Sequence, residues 1–299
     1  MDKTPIILDT DIGSDIDDAV ALAYLLKQPR CELLGITTVT GEPEKRAALA
    51  SAICHAGGRD EVPIHVGTEP PFLVEPRQQK AGQYEALSDK WPHKEFSKEN
   101  TALNFLRDTI RSRPGEITLL TIGPLTNIAL LFTIDPELPA LLKALVMMGG
   151  RFFSKPGESL VAEWNIVCDP HAAAKVFMSP VPRLVAVGLD VTTQCVMDAD
   201  ECRQRFTAAG GPLASVAAMA EIWFRHAPHI TFHDPLAAAL IFEPSLCKTK
   251  AALVEVDLVN PSTVGHTNPV YTQETKPHEL AAAVNSQAFF DHYFAVVGT

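Results

Sequence analysis

The sequence has no apolar run close to the roughly 20 residues that a membrane-spanning helix needs. Residues 1–5 lead straight into the first apolar stretch and carry neither the basic nor the apolar segment of a secretion signal. A cluster of basic residues is also missing, and the net charge of −11 opposes binding to a polyanion such as nucleic acid. These absences predict a cytoplasmic protein that binds neither membranes nor nucleic acid.

Cysteine pairing motifs are absent as well. The six cysteines are scattered along the chain with no Cys-x-x-Cys pair. We therefore expect reduced, packed thiols rather than disulfides or a metal site. With 46% apolar residues, a chain of 299 residues can bury a large core, which predicts one domain over residues 1–299.

The most distinctive stretch of the sequence is a group of aspartates near its start. Residues 6–8 form an apolar run typical of a buried strand, and residues 19–26 are typical of a helix. In open α/β sheets, ligands bind at the carboxyl ends of strands, so the segment between the two is a predicted site. It carries five aspartates, which are Asp9, Asp11, Asp15, Asp17 and Asp18.

Carboxylates this close together raise one another's pKa unless a cation neutralises them. Oxygen ligands favour a hard cation, Ca²⁺ or Mg²⁺, over Zn²⁺. An alternative is that Asp15 caps the following helix while Asp17 and Asp18 favour its dipole, but this leaves the remaining acids unexplained. The EF-hand pattern does not fit, because the loop glycine is one position early and the twelfth residue is Val20 instead of glutamate.

Strand-like and helix-like segments alternate through most of the chain. This alternation predicts an open, mostly parallel α/β sheet with helices on both faces, which is a Rossmann-like fold. Residues 67–98 lack any periodicity, which predicts a lid or a disordered segment. Further strands are predicted at 32–39, 63–66, 116–122, 145–148 and 183–187, short and in part antiparallel strands at 253–258, 262–271 and 279–284, and helices at 43–55, 99–112, 198–208, 213–227 and 286–297.

Six short motifs together resemble the inosine/uridine-preferring nucleoside hydrolase family. The resemblance implies the nucleoside hydrolase fold, a bound Ca²⁺ and hydrolysis of the N-glycosidic bond of ribonucleosides to ribose and free base. It also implies a role in nucleoside catabolism or salvage and a homo-oligomer, either a dimer or a tetramer. In chain order the motifs are Asp9-Thr10-Asp11, Asp17-Asp18-Ala19, Gly123-Pro124-Leu125-Thr126-Asn127, Met148-Gly149-Gly150, Glu163-Trp164-Asn165 and His233-Asp234-Pro235.

The resemblance assigns metal-binding and catalytic roles to five residues. It implies that Ca²⁺ is held by the carboxylates of Asp11, Asp18 and Asp234 and by the backbone carbonyl of Ile122. Asp11 would also be the general base that takes a proton from the attacking water. His233 would protonate the leaving base, although a structural role at the start of its helix is an alternative.

The resemblance also implies a set of substrate contacts. Asp17, Glu163 and Asn165 would hold the sugar hydroxyls, and Met148 would pack near the ribose. Trp223 is a candidate to close over the base, with a place in the helix core as the alternative. The sequence does not decide between purine and pyrimidine bases.

Three positions depart from the family pattern. The acidic loop is two residues longer than usual, so Asp15 is an alternative to Asp17 at the sugar. Glu42 stands where the family commonly has asparagine, and Gly157 stands where another sugar-binding asparagine is often found. We expect Glu42 to accept a hydrogen bond from a ribose hydroxyl, with a pairing to Lys45 or Arg46 as the alternative.

Two other functions fit part of the sequence. A haloacid-dehalogenase-like, Mg²⁺-dependent phosphatase would use residues 8–11, but it leaves the other motifs without a role. A protein that binds nucleosides without turning them over would keep the same metal and sugar contacts.

Overall fold

The computed structural model describes residues 3–88, 90–153, 161–271 and 278–298. Position 157 therefore lies outside the described residues. Within the described part, no helix is both long enough and apolar enough to cross a membrane. The strands are β1 (Thr4–Thr10), β2 (Cys31–Thr38), β3 (Ile64–His65), β4 (Thr118–Thr121), β5 (Ala144–Met148), β6 (Leu184–Val187), β7 (Val196–Asp198), β8 (His229–Thr231), β9 (Cys247–Val256), β10 (Thr267–Val270) and β11 (His278–Val284).

Helices occupy most of the connections between these strands. The three short 3₁₀ helices of the described chain are Gly82–Ala86, Leu138–Leu141 and Pro244–Leu246. The α-helices are α1 (Asp17–Lys27), α2 (Pro43–Ala56), α3 (Ala102–Ser112), α4 (Thr126–Ile134), α5 (Trp164–Cys168), α6 (Pro170–Phe177), α7 (Leu189–Thr192), α8 (Ala199–Ala209), α9 (Pro212–Trp223), α10 (His233–Leu240) and α11 (Ser286–Val297).

Nine of the described strands form one sheet in the order β10-β9-β11-β6-β5-β4-β1-β2-β3. Pairing is parallel from β3 to β11, whereas β9 pairs antiparallel with both β11 and β10 at one edge. The predicted open, mostly parallel α/β sheet is confirmed.

Alternate residues of β1 point to opposite faces of the sheet, as the strand period requires. Ile6 and Leu8 enter a core shared with α1, α2 and α10, whereas Ile7 enters a second core shared with α3 and α4. Helices therefore cover both faces, which explains why residues 6–8 of β1 form a continuous apolar run instead of alternating with polar residues.

The order of strands changes direction beside β1. From β1 the chain moves to β2 and β3 on one side, and β4, β5 and β6 follow on the other. The carboxyl ends of β1 and β4 therefore lie at a topological switch point, where a crevice opens in sheets of this kind.

Several predicted boundaries were wrong. The strand predicted at 262–271 is limited to Thr267–Val270, and the helix predicted at 213–227 ends at Trp223. A short antiparallel pair, β7 with β8, was not predicted, because strands of three residues carry little periodicity. In the segment 67–98, Gln78 and Gln83 are buried, and residues 77–80 form part of the wall of the crevice.

Candidate active site

A cleft of about 680 Å³ opens at the switch point. Residues that are far apart in sequence reach it because β1, β4 and β5 end there and α1, α5 and α10 begin there. The structure thus brings together all but one of the predicted site residues, the exception being Glu42. The predicted residues that line the cleft are Asp11, Asp17, Asp18, Ile122, Met148, Glu163, Asn165, Trp223, His233 and Asp234.

The acidic loop turns sharply after β1. Gly13 has φ +118°, a backbone conformation that favours glycine, and a Cβ atom there would lie 2.7 Å from Leu49 Cδ1 and displace that side chain. Asp15 accepts a bond of 2.6 Å from the backbone N–H of Ile16, the residue that precedes α1. No side chain caps α1, so the interpretation of Asp15 as its cap is wrong.

Three aspartates form the tightest acidic cluster in the described chain. Carboxylate oxygens of Asp17, Asp18 and Asp234 all lie within 4.8 Å of one another. Burial raises the pKa of each well above its usual range, and the neighbouring carboxylates raise it further. The cluster includes Asp17, which the resemblance assigned to the sugar.

Hydrogen bonds hold this cluster in place. The backbone N–H of Asp234 donates to Asp17 Oδ2 over 3.1 Å, which joins α10 to α1. The Thr10 hydroxyl donates to Asp18 Oδ1. Few hydrogen-bond donors surround these three buried carboxylates. Their oxygen atoms therefore form a set of ligands that suits a hard divalent cation.

Asp9, the first residue of the acidic motif, supports the site from inside the sheet. Its Oδ1 accepts bonds from the Thr37 hydroxyl over 2.5 Å and from Asn127 Nδ2 over 2.8 Å. Burial raises its pKa to about 7. Asn127 also donates to the carbonyl of Thr38, so the last residue of the Gly-Pro-Leu-Thr-Asn motif ties the ends of β1 and β2 to α4.

Asn165 links the ends of two other strands. Its Nδ2 donates to the carbonyl of Ile122 over 2.9 Å and to the carbonyl of Met148 over 3.3 Å. Glu163 caps α5, and its carboxylate accepts from the backbone N–H groups of Gly150, Asn165 and Ile166. Burial raises the pKa of Glu163 to about 7 in spite of these donors.

His233 lies beside the acidic cluster, at the start of α10. Its Nδ1 is 2.7 Å from the Thr192 hydroxyl. Burial lowers its pKa to about 4, so the imidazole is neutral at pH 7 in the protein alone. No side chain caps α10, which excludes His233 from a capping role.

Of two further predicted substrate-binding residues, Trp223 lines the cleft and Glu42 does not. Trp223 lines the cleft and also packs against the core, and its Nε1 donates to the carbonyl of His229 over 2.9 Å. Glu42 instead pairs with Lys45 Nζ at 2.5 Å and accepts from the Ala81 N–H over 3.0 Å. The Glu42 carboxylate is therefore paired outside the cleft. This is the alternative stated from the sequence, in which Glu42 pairs with Lys45 or Arg46.

Two buried contacts with Asp11 were not predicted from the sequence. Gln78 Nε2 donates to Asp11 Oδ2, and Gln78 Oε1 accepts from Trp164 Nε1. Gln78 belongs to the aperiodic segment, where no pattern marks a functional residue.

Arg46 donates to the Asp11 carbonyl and is fully buried. The sequence signal that could have identified Arg46 was its position directly before the apolar run 47–50 of α2.

The site lies at the switch point of an open α/β sheet and combines clustered carboxylates with an imidazole, amides and indoles. This is the arrangement of an α/β enzyme that acts on a polar small molecule. A family model described as inosine-uridine preferring nucleoside hydrolase matches residues 6–291. The chain belongs to this family, as its motifs predicted. It is an N-ribosyl hydrolase, which splits ribonucleosides into ribose and free base.

Individual relatives agree with this assignment. The non-specific ribonucleoside hydrolase RihC of Escherichia coli is 34% identical over 276 residues, which cover 89% of this chain and 88% of that protein. Uridine nucleosidase 1 of Arabidopsis thaliana is 30% identical over 276 residues, covering 88% and 80%. The purine-preferring ribonucleoside hydrolase from Gardnerella vaginalis has a similar structure, with a TM-score of 0.86, 26% identity and coverage of 99% and 98%.

Proposed function

We propose that this chain hydrolyses ribonucleosides in a Ca²⁺-dependent reaction. The observation that carries the proposal is the buried cluster of Asp17, Asp18 and Asp234. Three carboxylates in a water-poor site need a compensating charge, and oxygen donors favour a hard cation. Asp11 and the carbonyl of Ile122, which the resemblance implies as ligands beside Asp18 and Asp234, line the same cleft.

A bound Ca²⁺ would neutralise these acids and polarise the oxygen atoms of water and ribose. The remaining chemistry belongs to the side chains. Asp11 takes a proton from the water that attacks the anomeric carbon, and the Gln78 amide orients its carboxylate. As the C–N bond breaks, positive charge develops on the sugar, and the surrounding carboxylates stabilise that charge.

The departing base needs a proton or a hydrogen bond. His233 is in position to supply it, because Thr192 holds Nδ1 and leaves Nε2 as the ring nitrogen for the base. The imidazole is neutral before substrate binds. A neutral imidazole keeps its ring proton, so it donates a hydrogen bond from Nε2–H to the departing base and stabilises the negative charge that builds there.

The sugar and the base are held by the walls of the cleft. Asp17, Glu163 and Asn165 are the candidate partners for the ribose hydroxyls, and Met148 packs beside them. Trp223 is the candidate to cover the base. The relatives are named for uridine, for purines and as non-specific.

One assay tests the reaction and the metal together. The purified chain is incubated with inosine, uridine and p-nitrophenyl phosphate before chelation, after EDTA, and after Ca²⁺ is added back. We expect free base and ribose from the nucleosides, loss of activity with EDTA and recovery with Ca²⁺. Phosphate release without base release would support the phosphatase alternative, and nucleoside binding without products would support a binding protein.

We propose a reducing compartment, the cytoplasm, as the location of the protein. All six cysteines are buried and free, so none forms a disulfide within the described chain. Unpaired thiols persist where the cell keeps them reduced. Fractionation of cells that express the tagged protein tests the proposal, and recovery with secreted proteins would contradict it.

We also propose that residues 1–299 form one domain and that the enzyme is a homo-oligomer, a dimer or a tetramer. One sheet takes strands from β1 through β11, which supports a single domain. Size-exclusion chromatography with light scattering measures the assembly. A mass equal to one chain of 32.4 kDa would contradict the oligomer.

A further inference from the structure

Gln78 stands between the proposed general base and an indole on the opposite wall of the cleft. Its side chain is buried, and the amide contacts Asp11 on one side and Trp164 on the other. Asp11 follows β1, whereas Trp164 begins α5. The amide therefore connects the loop after β1 to the start of α5.

The chemistry of the two partners fixes the orientation of the amide. An ionised carboxylate only accepts hydrogen bonds, and an indole N–H only donates. The Gln78 NH₂ group must therefore face Asp11, and its oxygen must face Trp164. Rotating the amide by half a turn would place like groups together and lose both bonds.

The backbone of Gln78 is fixed as well. Its carbonyl accepts from the Gly41 N–H over 3.1 Å and from the Thr40 hydroxyl over 3.2 Å. Both donors belong to the turn that joins β2 to α2. Gln78 is thus held at its main chain by this turn while its side chain reaches across the cleft.

Trp164 needs such a partner because 49% of it is exposed. A large ring that packs on one side only can change rotamer unless a polar contact restrains it. The bond from its Nε1 to Gln78 restrains the ring that faces the substrate. The orientation of this indole and the orientation of the Asp11 carboxylate thereby depend on the same amide.

We propose that Gln78 is a positioning residue that couples the Asp11 carboxylate to the Trp164 indole, so that both are held in their working orientations together. The proposal rests on the function of Asp11 as general base in nucleoside hydrolysis. Gln78 acts through Asp11 and touches neither the scissile bond nor the attacking water.

Three substitutions distinguish the bond from Gln78 to Asp11 from the bond between Gln78 and Trp164. Gln78→Leu removes both bonds, Gln78→Glu keeps only an acceptor for the indole, and Trp164→Phe keeps only the bond to Asp11. Gln287→Leu is the matched control, because Gln287 Nε2 donates to Asp291 Oδ1 over 2.8 Å on the exposed face of α11. It removes the same kind of amide–carboxylate bond away from the cleft.

Kinetics with inosine and uridine give the first test. We expect Gln78→Leu and Gln78→Glu to lower kcat by about 10- to 100-fold, the effect of losing a hydrogen bond to a charged group, while KM changes by less than about threefold. The double variant Gln78→Leu/Trp164→Phe should have the same kcat as Gln78→Leu alone, because the coupling is already lost in the single variant. Fully multiplicative effects, or a kcat equal to that of Gln287→Leu, would overturn the proposal.

The indole N–H resonances give a second test that does not depend on turnover. The chain has three tryptophans, and Trp164→Phe identifies the resonance of Trp164 in a ¹⁵N-labelled sample. Gln78→Leu should move that resonance upfield and speed its hydrogen exchange, whereas Gln78→Glu should not. An unchanged resonance in Gln78→Leu would overturn the coupling.

These measurements keep the inference distinct from the proposed function. A wild-type protein that releases no base from any nucleoside contradicts the function, and the indole resonance then still tests the contact. If Gln78→Leu does not fold, the isosteric Gln78→Glu carries the kinetic test. A normal kcat in Gln78→Glu would overturn the proposal by itself.

Discussion

The Arg46 guanidinium donates to the backbone carbonyl of Asp11, which places a fully buried cation directly beneath the acidic loop. The same group donates to the carbonyls of Ile12 over 3.1 Å, Gly41 over 2.8 Å and Lys80 over 3.2 Å. Burial lowers the pKa of Arg46, and the charges of the nearby aspartates oppose that change. One side chain therefore fixes the backbone of the loop and offsets part of its charge.

Removing this guanidinium should destabilise the fold. Arg46→Met leaves several buried carbonyls without donors and the aspartates without a cation, so we expect the free energy of unfolding to fall by about 3–5 kcal/mol. Urea titration followed by circular dichroism measures the change. Arg107→Met is the control, because its ion pair with Asp108 is exposed and should contribute less than about 1 kcal/mol. Equal losses in both variants would contradict a special role for Arg46.

Ca²⁺ binding should depend on the carboxylate cluster. Asp18→Asn removes one negative charge, so we expect the affinity for Ca²⁺ to fall by at least about tenfold in isothermal titration calorimetry. Asp108→Asn, which changes an exposed carboxylate, should leave the affinity unchanged. A metal-stripped wild-type protein that retains full activity would show that no cation is required.

His233 should matter most for poor leaving groups. We expect His233→Ala to lower kcat by about 10²- to 10⁴-fold with inosine, while a riboside with a p-nitrophenyl leaving group should be largely spared because it departs without a proton. Steady-state kinetics on both substrates gives the comparison. Similar losses on the two substrates would indicate that the imidazole has a structural role.

Glu42 should have little effect on sugar recognition. Because Lys45 and the Ala81 N–H already occupy its carboxylate, we expect Glu42→Gln to leave KM for uridine and for deoxyuridine unchanged within about twofold. The two KM values are compared with those of the wild type. A rise in KM for uridine alone would place Glu42 at the ribose after all.

The sequence could predict those parts of the site that local patterns encode. The apolar run of β1 and the acidic turn each depend on neighbours in sequence, and each appears where predicted. The motif residues then converge because the carboxyl ends of parallel strands meet at one edge of the sheet. Boundaries were less accurate wherever tertiary contacts end an element, as at Trp223, which bonds to the carbonyl of His229.

By itself the sequence determined the α/β sheet, the family and the acidic loop, because strand and helix periodicity and short motifs are local properties of the chain. Only the tertiary structure decided the partners of the acids. It placed Asp17 against the N–H of Asp234, paired Glu42 with Lys45, and brought Gln78 to Asp11. The first and last of these contacts span 217 and 67 positions. Contacts of that range are fixed by how the whole sheet closes its cleft, and no local pattern encodes them.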